Sequence, residues 1–282
     1  MSTPTTIVSV GGGNMARAII EGAVASKRFP PSAFVVIDPN TEKLDHFRSI
    51  GCAAHEHVAT LPVVSENAAI MLAIKPQMLS DAAPSFASLC GARRLVISIL
   101  AGVQSPTIRV MLRRGGAESV GNVIRVMPNT PAAIGAGCTA YACSGSTLPE
   151  EIALVESLFE SVGPIVERLD EPMMDAFTAL AGSGPAYLFY LVEAMANAGV
   201  ELGFERAQAE RFARQTVIGS SRLLAQSDES AAELRARVTS KKGTTQAATD
   251  SLDASHVMVA FARALTAARD RGRSLASEFD RA

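Results

Sequence analysis

The chain has 282 residues, of which 48% are apolar, and a formal net charge of −2 at pH 7. That length accommodates one large domain or two modest ones, and a near-neutral balance with no basic block disfavours nucleic-acid and anionic-membrane partners. The four cysteines, Cys52, Cys90, Cys138 and Cys143, form no C-x-x-C pair; neither a zinc site nor a disulfide framework is expected, and a reducing compartment fits.

The opening Met-Ser-Thr-Pro carries no basic run, and the apolar segment Ile7–Val10 is too short for the hydrophobic region of a signal peptide. No stretch reaches the roughly 18 apolar residues of a membrane span. A soluble, cytoplasmic protein is expected. Short β-rich runs then alternate with helical stretches. Strands are predicted over Thr6–Val10, Ala33–Ile37, Ala68–Ile74, Leu95–Ile99, Val123–Met127, Cys138–Cys143 and Pro164–Leu169, with helices such as Met15–Ser26, Thr41–Ile50 and Pro149–Ser161 between them. Several strands are continuous apolar runs, as in parallel strands buried on both faces. The alternation predicts an α/β doubly wound sheet.

The pattern changes at Asp170-Glu171-Pro172. Beyond it only helices are expected: Ala186–Val200, Ala207–Ala225, Ala231–Val238 and a last helix from about Ser255 to Glu278. On that last helix Met258, Phe261, Leu265, Ala268, Gly272 and Leu275 form one apolar stripe. A second copy of the chain is a natural cover for such faces, so a homodimer through the C-terminal helices is expected. The domains are drawn at 1–168 and 169–282.

Val10-Gly11-Gly12-Gly13-Asn14-Met15-Ala16 follows the first strand and opens the first helix, in the pattern G-x-G-x-x-A. Gly11 permits a tight turn, Gly13 lets a pyrophosphate approach the backbone, and the small Ala16 lets helix and strand pack closely. The helix start, at Asn14 and Met15, offers free N–H groups and a favourable dipole to the phosphates. In this setting the motif points to a Rossmann-type dinucleotide site. Asp38 ends the second strand, where a carboxylate hydrogen-bonds an adenosine ribose and thereby favours NADH; Asp38-Pro39-Asn40 is equally a turn capping the helix from Thr41. Both readings stay open, and with them the choice of NADH or NADPH.

Further segments follow in order: Ala73-Ile74-Lys75-Pro76-Gln77, Ser98-Ile99-Leu100-Ala101-Gly102-Val103, Met127-Pro128-Asn129-Thr130-Pro131-Ala132, Gly182-Ser183-Gly184-Pro185-Ala186-Tyr187 and Ser240-Lys241-Lys242-Gly243-Thr244-Thr245. Together with the glycine turn, this set resembles the pyrroline-5-carboxylate reductase family from residue 7 to about residue 250. The resemblance implies a Rossmann-type domain followed by an all-α helical dimerisation domain, with dimers that often assemble further, commonly into decamers. It implies reduction of 1-pyrroline-5-carboxylate to L-proline by NADPH or NADH, the last step of proline biosynthesis. It places Lys75 and Pro76 near the cofactor, Leu100 and Ala101 near its nicotinamide end, and the substrate at the 240–245 loop, with Thr245 at the ring nitrogen or carboxylate. An acidic residue near the substrate falls at Asp228 or Glu229; the same residues also suit the start of the next helix by complementing its dipole.

The loop departs from the family's usual S-P-G-G-T-T: Lys241 and Lys242 stand where a proline and a glycine are usual. A fixed φ and a permissive φ are lost, and Lys242 is strained wherever that position needs φ > 0. Ser240, Gly243, Thr244 and Thr245 remain. The loop is expected to precede a helix starting near Gln246, so that the N–H groups of 243–245 and the hydroxyls of Ser240, Thr244 and Thr245 hold an anion. Alternatively, Thr244 and Thr245 merely cap that helix. The two lysines either attract a carboxylate or form a solvated surface pair. His46, His55, His57 and His256 are read as structural or exposed, and no metal-ligand spacing occurs. Two rivals are a β-hydroxyacid dehydrogenase, disfavoured because Gly182–Tyr187 carries no lysine to serve as a base, and a non-catalytic dinucleotide-binding protein.

Overall fold

The computed structural model describes residues 6–281. Eight strands form one sheet: β1 (Ile7–Val10), β2 (Phe34–Ile37), β3 (Ala53–His55), β4 (Ala69–Leu72), β5 (Val96–Ser98), β6 (Val123–Met127), β7 (Cys138–Ala142) and β8 (Ile165–Arg168). Their order is β3-β2-β1-β4-β5-β6-β7-β8. All neighbouring pairs are parallel except β6 with β7. The connecting helices are α1 (Asn14–Ala25), α2 (Thr41–Ser49), α3 (Leu79–Phe86), α4 (Ser105–Arg114) and α5 (Pro149–Glu160). This is the doubly wound sheet expected.

Strand alternation divides the core. Ile7, Phe34, Ala69, Met71 and Ile97 face one apolar layer with α1, while Val8, Val10, Ile70, Leu72 and Val96 face the other with α3 and α4. All four residues of β1 and of β4 are buried, which explains their uninterrupted apolar sequence. The strand order reverses at β1 and β4, and at such a switch point the carboxyl ends of the strands diverge and leave a crevice.

The predicted strands and helices recur with ends moved by at most three residues, and Val123–Met127 recurs unchanged. β3 was not predicted, because Ala53–His55 is three residues long without a β-rich pattern. α3 carries Pro84 inside it, a residue that argues against a helix. Beyond β8 every regular element among the described residues is helical: α6 (Met174–Phe177), continued by a wide turn at Thr178–Gly182, then α7 (Gly184–Glu201), α8 (Arg206–Ala225), α9 (Ala231–Arg237), α10 (Thr244–Ala254) and α11 (Val257–Arg281).

The chain forms two compact units, one of residues 1–183 with 268–282 and one of residues 184–267. In the first, Arg125 on β6 is 2% exposed and bonds Glu171 at 2.9 Å and Asp175 at 2.8 Å. The late part of α11 lies on the same unit, with Gly272 against Asp175 and Leu275 against Gly102. In the second unit, α8 packs back on α7 through Gly199 and Ala209 and through an edge-to-face pair, Phe204 and Phe212. Leu188, Phe189, Tyr190, Leu202, Met258 and Phe261 remain exposed.

Candidate active site

The glycine turn is built by backbone demand. Gly11 has φ +106°, and a Cβ there would lie 2.6 Å from the carbonyl oxygen of Ala73 on the β4 side. Its N–H donates to the Ile37 carbonyl at 2.8 Å, and its own carbonyl accepts from the Ser9 hydroxyl at 2.8 Å. A Cβ on Gly12 would strike the Phe47 ring at 2.9 Å, whereas one on Gly13 would meet nothing within 4 Å. The first two glycines are thus dictated by packing, and the third leaves the backbone bare toward open space. Gly13 is also the N-cap of α1, with no side-chain cap. The first bond of this helix runs from Arg17 N–H to the Gly13 carbonyl, so the amides of Asn14, Met15 and Ala16 have no intrahelical partner.

Above the turn is a cavity of about 470 Å³, lined by Gly11, Gly13, Asp38, Lys43, His57 and Lys75 together with an apolar wall that includes Val58, Met78 and Phe86. A lining that combines charged groups with apolar side chains suits a ligand of nucleotide size. Of the residues expected to hold the cofactor, Gly11, Gly13, Asp38 and Lys75 line this cavity. Asn14 and Met15 lie next to Gly13 in the first turn of α1, and Asn40 and Pro76 next to lining residues in sequence. Leu100 is 1% exposed, with its side chain in the sheet core; Ala101 follows it in the turn after β5.

Asp38 receives three donors: the Gly12 N–H at 2.9 Å, the Asn40 N–H at 2.9 Å, and Lys43 Nζ at 3.0 and 3.3 Å. Burial pushes this carboxyl up, but the two amides and the ammonium outweigh burial and hold it below its ordinary value. The N-cap of α2 is Asn40, whose side chain accepts from the Lys43 N–H. Asp38 therefore does not cap α2; it ties the glycine turn to the end of β2 at the cavity wall. Lys43 and His57 were not singled out in the sequence. Lys43 is the third residue of α2, where a side chain leans back toward the helix start; that offset from Asp38 was a readable signal.

In the second unit the Ser240–Thr245 segment is a turn, with the Gly243 N–H donating to the Ser240 carbonyl at 3.0 Å. α10 begins at Thr244, two residues earlier than expected, and its N-cap is Gly243. Thr244 and Thr245 are the first two helical residues and not caps. The first helical bond runs from Ala247 N–H to the Gly243 carbonyl, so the amides of Thr244, Thr245 and Gln246 have no intrahelical partner. A Cβ on Gly243 would fall 2.3 Å from Ser240 Oγ, so this glycine makes room for the hydroxyl. Lys242 has φ +59°, the strained conformation anticipated for it, and its N–H donates to Gln246 Oε1 at 2.6 Å. Lys241 lines a separate open cavity of about 410 Å³ that also includes Asp250 and Asp253. Asp228 is exposed, just ahead of α9.

The histidines are spread out. His46 meets Glu21 at 2.5 Å and His256 is exposed at the start of α11. Among the described residues no His, Cys, Asp or Glu cluster is arranged to hold a metal, and no helix is long and apolar enough to cross a membrane. Burial raises the Cys52 and Cys90 thiols to about 11, which makes them poor nucleophiles.

A mostly parallel sheet with a glycine-cradled crevice at its switch point, followed by helices, defines the class as a two-part dinucleotide-dependent oxidoreductase. Residues 171–275 match the pyrroline-5-carboxylate reductase dimerisation family, and residues 6–102 match the family described as NADP oxidoreductase coenzyme F420-dependent. The pyrroline-5-carboxylate reductase of Synechocystis is 38% identical over 94% of this chain and 96% of its own length, and that of Arabidopsis thaliana 33% over 94% of each. The solved reductase of Coxiella burnetii is 31% identical and superposes with a TM-score of 0.84 over 97% of this chain and 99% of its own. The chain belongs to the pyrroline-5-carboxylate reductase family.

Proposed function

We propose that the chain reduces 1-pyrroline-5-carboxylate to L-proline with NADPH or NADH, the last step of proline biosynthesis. The observation that carries this reading is the near end-to-end match to reductases of that substrate, which takes in both the cradle around Gly11 and the turn at 240–245. The functional division we adopt is 1–168 for the dinucleotide and 169–282 for substrate and dimerisation, supported by the family match that starts at residue 171. Oligomerisation beyond the dimer, as a decamer, and a cytoplasmic location belong to the same proposal.

The nicotinamide supplies the hydride when bound. In this reading Gly11 and Gly13 admit the pyrophosphate, and the amides at Asn14 and Met15 hold it. Asp38 and Asn40 flank the adenosine ribose, and Lys75, Pro76, Leu100 and Ala101 border the rest of the dinucleotide. The bare amides of Thr244 and Thr245 and the hydroxyls of Ser240, Thr244 and Thr245 neutralise and orient the substrate carboxylate, with Gly243 keeping the Ser240 hydroxyl in place and Asp228 nearby. Thr245 donates a hydrogen bond to the ring nitrogen, and solvent supplies the proton. Orienting groups of this kind contribute several kcal/mol, up to about 7–11 in ideal cases.

The test is oxidation of NADPH and of NADH by the full chain with 1-pyrroline-5-carboxylate, beside Thr245→Ala. Turnover that falls by about tenfold or more in the variant is expected. A near-normal kcat and KM would remove Thr245 from the mechanism, and an inactive wild type that nonetheless binds dinucleotide would overturn the reading.

A further inference from the structure

Resting on the dinucleotide reading above, we infer that Lys43 reads the adenosine 2′-position and makes this chain competent for the 2′-phosphorylated cofactor despite an acidic residue at the end of β2. A bare carboxylate at that place hydrogen-bonds a ribose 2′-hydroxyl and repels a 2′-phosphate. Asp38 is not bare. Both its oxygens lie within 3.0 and 3.3 Å of the Lys43 ammonium, and its remaining acceptor capacity is partly taken by the amides of Gly12 and Asn40. The carboxylate is therefore charge-compensated on the cavity side.

The two partners differ in freedom. The Asp38 side chain is 8% exposed and pinned by backbone donors, whereas the Lys43 side chain is 44% exposed and lines the cavity. The lysine can pivot on its flexible stem, holding Asp38 when the ribose carries a hydroxyl and pairing with a phosphate when it carries one. The arrangement predicts tolerance of both cofactors, with the preference for the phosphorylated one set by a single side chain.

The experiment is direct binding to the full-length protein, by fluorescence or calorimetric titration, of NADPH, NADH, 2′,5′-ADP and 5′-AMP, for wild type, Lys43→Met and Lys43→Arg. Lys43→Met is expected to weaken NADPH and 2′,5′-ADP by about tenfold or more, the loss of one charge-assisted contact, while NADH and 5′-AMP change by less than about threefold. Lys43→Arg retains the phosphorylated ligands. In wild type, added salt weakens NADPH more steeply than NADH. This salt comparison needs no variant and so stands if Lys43→Met fails to fold. Equal losses for phosphorylated and unphosphorylated ligands, or a salt response identical for both, would overturn the assignment. Turnover of 1-pyrroline-5-carboxylate is scored separately: a chain that discriminates the ligands as expected but reduces no substrate leaves Lys43 standing and sinks the proposed activity.

Discussion

Three residues show how single side chains shape the site. Gly11→Ala places a Cβ 2.6 Å from the Ala73 carbonyl at φ +106°. A left-handed backbone alone costs an L-residue about 1–2 kcal/mol, and here the neighbour is backbone. The variant is expected to lose at least that much stability in urea denaturation and to lose dinucleotide binding in titration. Lys242 occupies φ +59° without being glycine. Lys242→Gly relieves that strain but loosens the unfolded chain, so a net gain of about 0.5–1 kcal/mol is expected in thermal melting. Asp38 has a folded-state carboxyl held below its ordinary value. Its contribution to stability is therefore fully present above the ordinary carboxylate range and disappears as pH falls through the depressed native value. Denaturation of wild type and Asp38→Asn across pH should show a gap at neutrality that closes in acid; a gap independent of pH would contradict the bonding described.

At the scale of elements, the buried Arg125 joins β6 to the segment that leads into α6. Its guanidinium bonds Glu171 and Asp175, and Asp175 is only 6% exposed on its side chain. Removing one member of such a group leaves buried charge uncompensated, typically at about 3–5 kcal/mol. Arg125→Met is expected to fall in that range by urea denaturation, and Glu171→Gln, at a more exposed carboxylate, to lose less. Helix α10 illustrates how a loop and an element share a task. Its start at Thr244 turns three amides outward, and glycine at 243 is needed because the Ser240 hydroxyl occupies the space a side chain would take. In the proposed function, the anion cradle is made by where this helix begins.

At the scale of the molecule, the chain carries the dimerisation domain of its family and homo-oligomerises. The stripe on α11 behaves differently along its length. Gly272 and Leu275 belong to the first unit and pack within it, while Met258 and Phe261 stay 67% and 46% exposed. We expect the copies to meet at these exposed apolar positions. Sedimentation velocity should show a dimer or larger species. Met258→Glu with Phe261→Glu should dissociate it while leaving helical content intact, since neither residue is buried within the chain. Persistence of the assembly would move the interface elsewhere.

The local rules were readable from residues alone. Uninterrupted apolar runs at β1 and β4 announce strands covered on both faces, and Gly-x-Gly-x-x-Ala announces a phosphate turn, because backbone geometry and burial act over a few residues; the strain at Lys242 was legible only through the family resemblance, which marks 242 as a glycine position. β3 was missed because Ala53–His55 has no β signal. What tertiary structure alone decided was pairing at a distance. Lys43 meets Asp38, Arg125 finds Glu171 and Asp175, and the Met258–Phe261 half of an apolar stripe is left uncovered. Such partners depend on how the chain returns on itself, and no local periodicity encodes that.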